Sequence, residues 1–182
     1  MPDLYSAPML GVLAVGLVVT GAVAGILAGL LGVGGGIVIV PVLFLLFDAL
    51  DVPAEVAMHL AVGTSLATII PTSISSARSH HAKGAIDVSM LRAWAPFICV
   101  GALAGGIASR FVSSAFLTVL FGLVALVVAI NMALPRRVAL AQALPAGAAA
   151  QVAMPGGIGL LSALMGIGGG TLTVPILSLF SY

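Results

Sequence analysis

Charged residues are the scarcest component of this chain. Of its 182 residues only 6% are charged, with 6 Lys and Arg against 5 Asp and Glu, whereas 62% are hydrophobic. An ordinary soluble domain carries about 25% charged residues. A water-facing surface cannot be built from so few charges, so a soluble globular fold is excluded.

Cysteine pairs, basic surfaces and catalytic clusters are also missing from the sequence. The single cysteine, Cys99, excludes a disulfide framework or a cysteine-based metal site within one chain. The net charge of +1, without basic residues interleaved with aromatics, argues against a nucleic-acid partner. Carboxylates and histidines fall in loops of opposite predicted sidedness, so we expect no enzyme activity, no metal and no cofactor.

Three histidines leave a metal site as an alternative. His80 and His81 are adjacent and would point to different sides of a helix, and Arg78 and Lys83 would oppose a cation. We therefore predict that residues 78–92 form a solvated cytoplasmic loop. His59 would lie at the outer mouth.

Long uncharged stretches occupy most of the chain. A membrane-spanning helix needs about 20 apolar residues, because the hydrocarbon layer is about 30 Å thick. Stretches that meet or approach this length are residues 7–47, 56–77, 93–109, 111–134 and 138–182. The sequence predicts an all-α, polytopic transmembrane bundle in a lipid bilayer. The first and last stretches exceed one span, so we expect each to contain a broken or re-entrant element.

An internal repeat is the most informative pattern. Residues 25–45, GILAGLLGVGGGIVIVPVLFL, align without a gap on residues 159–179, GLLSALMGIGGGTLTVPILSL, at a constant offset of 134. Such paired, glycine-interrupted segments are typical of transporters built from two related halves. We predict a first transmembrane repeat over residues 1–134, a basic cytoplasmic linker with the start of the next helix over 135–150, and an incomplete second repeat over 151–182.

Loop charge predicts the orientation. Basic residues in 78–92 and at Arg136 and Arg137 indicate the cytoplasmic side, and the acidic segment 48–55 would then face outward. If residues 37–47 cross the bilayer, the repeats are inverted; if they are re-entrant, which eleven residues favour, the repeats are parallel. Because the second repeat is short, either a missing second half or a partner subunit, such as another copy, would be needed to complete a site.

The two glycine runs are the first candidate solute site. Consecutive glycines allow a membrane helix to unwind, and exposed N–H groups at the start of the next half-helix would attract an anion. Unpaired backbone inside a bilayer is tolerated where protein or a wet cavity surrounds it. The alternative is close helix packing, for which the four-residue spacings Gly21, Gly25, Gly29 and Gly101, Gly105 are better candidates.

A hydroxyl stripe is the second candidate. Within residues 56–77, positions 64, 68, 72 and 75 lie on one helical face around Pro71. These hydroxyls could hydrogen-bond a small oxyanion without adding fixed charge. Alternatively, they bond their own helix or a neighbouring one, as is common in membrane spans.

At the paired G-x-G-G-G…P segments the sequence resembles the sulfite exporter TauE/SafE family of permeases. The stretch AVGTSL at 61–66 and the linker 80–87 are also similar to the family pattern. The resemblance implies a multi-pass protein of the cell inner membrane that exports a small anion, sulfite or an organosulfonate, by alternating access. A non-conducting half-transporter or assembly module is the alternative. The predicted substrate-binding residues are Gly34, Gly35, Gly36, Pro41, Thr64, Ser65, Thr68, Gly168, Gly169, Gly170, Thr171 and Pro175.

Overall fold

The computed structural model is mainly helical in the part of the chain that it describes. That part comprises residues 35–84, 86–133 and 147–179, with nine helical positions of the first apolar stretch: Gly11, Val15, Val18, Val19, Gly21, Ala22, Gly25, Ile26 and Gly29. No strand occurs within these residues. The helices are α1 (Gly36–Ala49), α2 (Ala54–Ala82), α3 (Val88–Ser109), α4 (Ser114–Ala133), α5 (Ala148–Met165) and α6 (Gly169–Leu179). The predicted all-α membrane fold is confirmed.

Three of these helices are long and apolar enough to cross a bilayer. They are α2, α3 and the Ser114–Asn131 part of α4, while α1 and the Ala150–Met165 part of α5 are apolar but shorter. The division of the chain into two repeats stays a prediction, because most of the linker lies outside the described residues.

The long helix α2 corrects one expectation. It continues to Ala82, so Arg78, His80 and His81 belong to its exposed last turns and not to a loop. At 1.5 Å per residue its 29 residues extend about 43 Å, well beyond a hydrocarbon layer of about 30 Å. The excess length carries the basic end of the helix into the polar region.

The following helix begins at a capping residue. The side chain of Asp87 accepts hydrogen bonds from the backbone N–H of Ser89 (2.9 Å) and of Met90 (3.0 Å). Such a cap satisfies donors that have no partner in the first turn, and this explains why α3 starts at Val88.

Helices α3 and α5 make the closest helix pair. A Cβ atom placed on Gly101 would overlap the backbone of Gly156, and one on Gly105 would overlap the backbone of Leu160. Gly159 lies equally close to the carbonyl of Ile98. Because positions 101 and 105 pair with 156 and 160 in ascending order, the two helices run in the same direction. Gly101 and Gly105 thus serve the close packing expected of them.

The apolar core lies where α1, α2, α4 and α5 meet. It contains Val40, Ala61, Leu117 and Ile158 from these helices, together with buried side chains of α3 and α6. Helix α1 turns back into α2 at residues 50–53, where the N–H of Val52 donates to the carbonyl of Phe47 (2.9 Å). These contacts hold the start of α1 and the first half of α2 beside the end of α5.

Candidate glycine-break site

The second glycine run separates two helices. Helix α5 ends at Met165, and α6 begins at Gly169. Between them Gly166 has φ +67° and Gly168 has φ +74°, backbone angles that favour glycine because it has no Cβ. The N–H of Gly166 donates to the carbonyl of Ser162 (2.9 Å) and closes the last turn of α5. The chain is therefore unwound over residues 166–168.

The first glycine run lies directly against this break. Gly36, the first residue of α1, is so close to Gly166 and Ile167 that a Cβ atom on it would overlap their backbone atoms. The two repeated segments, far apart in sequence, thus meet backbone to backbone. The residues that Gly36 contacts precede the first residue of α6 by only two or three positions, so α1 and α6 begin close to each other.

Ser65 of α2 joins the break from another side. Its side chain is fully buried, and its hydroxyl donates a 2.6 Å hydrogen bond to the carbonyl of Gly166. A Cβ atom on Gly166 would also lie 2.9 Å from the carbonyl oxygen of Val62. Ser65 is about 16 Å along α2 from its first residue, at 1.5 Å per residue. The break therefore lies well inside the span.

Backbone carbonyls around the break already accept hydrogen bonds. The donors are serine and threonine hydroxyls in three cases and α1 amides in the fourth. The bonds are Ser65 to Gly166 (2.6 Å), Thr171 to Ile167 (3.1 Å), Thr173 to Gly169 (2.7 Å), and the N–H groups of Val38 and Ile39 to Gly35 (3.1 and 3.0 Å). A cation would need these oxygens as ligands, whereas an anion would need donors.

Two members of the predicted hydroxyl stripe on α2, Thr68 and Thr72, bond to their own helix, and so does the neighbouring Ser73. Thr68 donates to the carbonyl of Ser65 (2.7 Å), Thr72 donates to that of Thr68 (3.0 Å), and Ser73 donates to that of Ile70 (2.9 Å). These bonds match the packing alternative, but each hydroxyl oxygen can still accept a further hydrogen bond. A solute-lining role for Thr64 and Thr68, which are both exposed, stays a prediction.

Burial of α2 changes abruptly at Ser65. On the side towards its first residue, Ala57, Met58, Ala61 and Val62 are buried among apolar neighbours. On the side towards its last residue, every position from 71 to 82 is exposed, including the hydroxyl residues. The face of α2 next to the break is therefore closed towards the acidic end and open towards the basic end.

The structure brings together part of the predicted site. Gly35, Gly36, Ser65, Gly168, Gly169 and Thr171 surround the break, and a Cβ on Gly168 would contact Ile69 of α2 at 3.5 Å. Thr171 is fully buried, and Gly170 is exposed at the start of α6. Gly34 lies outside the described residues. Pro41 and Pro175 lie within α1 and α6, which continue through them, so the unwound segment precedes the proline.

Sequence reasoning missed two residues next to the break. Gly166 was part of the quoted motif but not of the predicted site, although glycine directly after a helix is the usual left-handed cap. Ser162, one turn earlier, is buried, and no group among the described residues hydrogen-bonds its Oγ. Its repeat counterpart is Ala28, so the internal repeat gave no signal for this hydroxyl.

A second feature lies at the acidic end of α2. His59 Nε2 is 3.0 Å from the carbonyl oxygens of both Ser109 and Val112, so the imidazole ties α2 to the turn between α3 and α4. This turn borders an open groove of about 630 Å³ that Glu55 and Arg110 also line. The guanidinium of Arg110 stacks 5.1 Å from the ring centre of Phe111.

Long apolar helices, a glycine-broken helix pair and a scarcity of charge define an integral membrane protein of the polytopic helical class. More specifically, the chain belongs to the sulfite exporter TauE/SafE family, whose sequence model matches residues 17–182. No solved structure matches the chain.

Curated relatives carry the name "Probable membrane transporter protein". The chain is 37% identical over 158 residues to one from Haemophilus influenzae (87% of this chain, 60% of the relative) and 32% identical over 173 residues to one from Methanocaldococcus jannaschii (91% and 62%). It is 29% identical over 181 residues to YunE of Bacillus subtilis (90% and 66%). The chain thus spans less than two thirds of the length of each of these relatives.

Proposed function

We propose that this chain forms the first repeat and the start of the second repeat of a permease that moves a small anion out of the cytoplasm. The observation that carries the proposal is the contact of Gly36 with Gly166 and Ile167 at an unwound segment inside the span. Irregular backbone at membrane depth is tolerated where protein or a water-filled cavity surrounds it. A solute pathway at the break accounts for such backbone.

The electrostatics of the break favour an anion over a cation. Helix N-termini carry a partial positive charge of about half an elementary charge each, from N–H groups without helical partners. Helices α1 and α6 both start beside the break, at Gly36 and Gly169. Three carbonyl oxygens there already accept hydrogen bonds from hydroxyl groups, whereas the first N–H groups of a helix have no partner within the helix. An anion would be stabilised without a fixed cationic side chain.

The hydroxyl stripe supplies a route from the cytoplasm to the break. Thr68, Thr72 and Ser75 extend from the buried Ser65 towards the basic end of α2 and are exposed. Positive charge at that end, from Arg78 and Lys83, would raise the local anion concentration. We propose that the closed acidic end and the open basic end are those of an inward-facing state, which alternating access would reverse.

Sulfite or an organosulfonate is the proposed substrate, and the cell inner membrane is the proposed location. The family description names sulfite export, and the charge pattern assigns the basic loops to the cytoplasm. We propose transport without catalysis, because the described groups around the break are backbone amides and hydroxyls, with no acid–base pair among them.

A non-conducting half-transporter is the second candidate. The observation that favours it is length, because the chain spans 60 to 66% of the curated relatives compared above. Under this alternative the glycine break folds as described, but a solute path would form only together with further helices.

Flux from reconstituted vesicles separates these candidates. We expect vesicles loaded with sulfite to release it with saturable kinetics when they contain this chain. Gly36→Leu should abolish release, because its side chain would displace Gly166. Gly63→Leu is the matched control, since a Cβ at Gly63 meets no described atom within 4 Å. Absence of flux from the parent chain would refute conduction by this chain, and normal flux in Gly36→Leu would remove the break from the pathway.

A further inference from the structure

The contact between α3 and α5 predicts a second contact of the same kind. In that pair α5 presents Gly156, Gly159 and Leu160 to the backbone of α3. Helix α5 belongs to the second copy of the repeated segment, and the offset of 134 maps these three positions onto Ala22, Gly25 and Ile26. The first copy therefore carries the same surface on the helix that precedes the first glycine run.

In the first copy this surface is uncovered. We define the N-terminal stripe as the exposed helical positions that follow one another at three- and four-residue steps: Val15, Val18, Val19, Ala22, Gly25, Ile26 and Gly29. Val18 is 72% exposed and Ile26 is 64% exposed. Gly25 meets no described atom within 4 Å, whereas its counterpart Gly159 is buried against Ile98 and Ala102. The stripe thus repeats the small-residue spacing of the α3-binding surface, with no described helix against it.

We propose that the N-terminal stripe is the docking surface for the second-repeat equivalent of α3. The partner is an apolar helix that follows the second glycine–proline segment as α3 follows the first, with small residues four positions apart. Such residues let two helix backbones approach closely, as Gly101 and Gly105 do. The inference concerns assembly and does not depend on what the protein transports.

The relatives are long enough to supply this helix. More than a third of the H. influenzae, M. jannaschii and B. subtilis proteins lies outside the match with this chain. One helix of each repeat would then pack against the other repeat: α3 against α5, and the second-repeat helix against the N-terminal stripe. This exchange explains why α3 packs on a helix of the other repeat.

A second copy of the chain fits the stripe less well. The glycine surface of α3 that would fill it is already occupied by α5 of the same chain, through Gly101 and Gly105. Another copy could offer its α3 only after losing that contact. A separate helix with an unoccupied small-residue surface carries no such cost.

Disulfide cross-linking tests the proposal. Cys99→Ala removes the chain's single cysteine, and Gly25→Cys then places one in the N-terminal stripe. This chain is expressed with the unmatched portion of the H. influenzae relative, which carries single cysteines at eight consecutive positions of its α3-equivalent helix. We expect oxidation in membranes to link the two polypeptides at positions three or four residues apart. Val127→Cys, 65% exposed on α4, is the control that should form no link.

A packing variant provides a second measurement. Gly25→Leu should lower co-purification of the partner about tenfold, because the added side chain would hold the two helix backbones apart. Val127→Leu should leave it unchanged. Links from Gly25→Cys solely to a second copy of the chain would overturn the proposal. So would the absence of links while the partner co-purifies, or failure of the partner to associate with the parent chain.

Discussion

The hydroxyl of Ser65 donates a 2.6 Å hydrogen bond to the backbone carbonyl of Gly166 across 101 positions of sequence. The bond connects the middle of the longest helix to the unwound segment between α5 and α6. Because Ser65 is fully buried, water cannot replace it. This hydroxyl therefore bonds α2 to the segment that follows α5 at the candidate site.

Loss of this hydroxyl should destabilise the break. Ser65→Ala leaves the Gly166 carbonyl without its side-chain donor, and we expect a loss of about 1 to 2 kcal/mol in the free energy of unfolding. Unfolding in detergent by a denaturant titration measures it. Ser73→Ala is the matched control, because the exposed Ser73 hydroxyl bonds only its own helix in the described structure. Equal stability of the two variants would contradict a structural role for the Ser65 bond.

Two adjacent glycines of α3 allow the effect of helix–helix packing to be separated from the effect of intrinsic helix propensity. Gly105→Leu should force α3 away from Leu160, whereas Gly106→Leu enters space without a described atom within 4 Å. With a protease site introduced in the linker at residues 138–144, the two cleaved fragments should co-elute in detergent for the parent chain and for Gly106→Leu. They should separate for Gly105→Leu. Co-elution of the Gly105→Leu fragments would show that the glycine contact is dispensable.

His59 should fix the turn between α3 and α4. Its Nε2 lies 3.0 Å from both the Ser109 and Val112 carbonyls, so His59→Leu removes the donor that holds them. We expect amide hydrogen exchange of residues 110–114 to become about tenfold faster, corresponding to a net hydrogen bond of about 1.4 kcal/mol. His81→Leu, in the exposed last turn of α2, should leave this exchange unchanged. Unaltered exchange in His59→Leu would show that the imidazole does not hold this turn.

Ser162 offers a test that distinguishes stability from function. A buried hydroxyl without a hydrogen-bond partner is unfavourable, so Ser162→Ala should keep or raise the midpoint of thermal unfolding. If the hydroxyl instead binds the solute during transport, sulfite flux should fall severalfold in the same variant. Thermal unfolding and sulfite flux should both be measured on this variant, to show whether the hydroxyl is only an unpaired buried group or also binds the solute. Lower stability without a change in flux would contradict both expectations.

The sequence predicted the class of fold and a helix broken at the second glycine run. Scarce charge and long apolar runs were sufficient for the all-α membrane fold, because the bilayer allows few alternatives. Family membership followed from the repeated motif and is confirmed. The repeat did not predict that Gly36 would touch Gly166, because this contact depends on how α1 and α5 approach in three dimensions.

Helix ends and hydroxyl partners were harder to predict. Apolar composition placed the end of α2 near position 77, but helical hydrogen bonding continues to Ala82 because water also supports a helix beyond the bilayer. Ser65 and Thr68 were both predicted to bind the substrate. Their partners differ, since one hydroxyl reaches Gly166 and the other its own helix. Side-chain periodicity cannot distinguish these cases.

The glycine contacts between α3 and α5 restrict how this protein can move. Where main chain touches main chain, no side-chain rotamer can change to accommodate sliding or rotation, so α3 and α5 should move as one rigid unit. Any rocking that exposes the break to one side of the bilayer and then to the other must take place around that unit. The start of α1 and the middle of α2 are held to that unit by backbone contacts of the same kind, Gly36 against Ile167 and Val62 against Gly166.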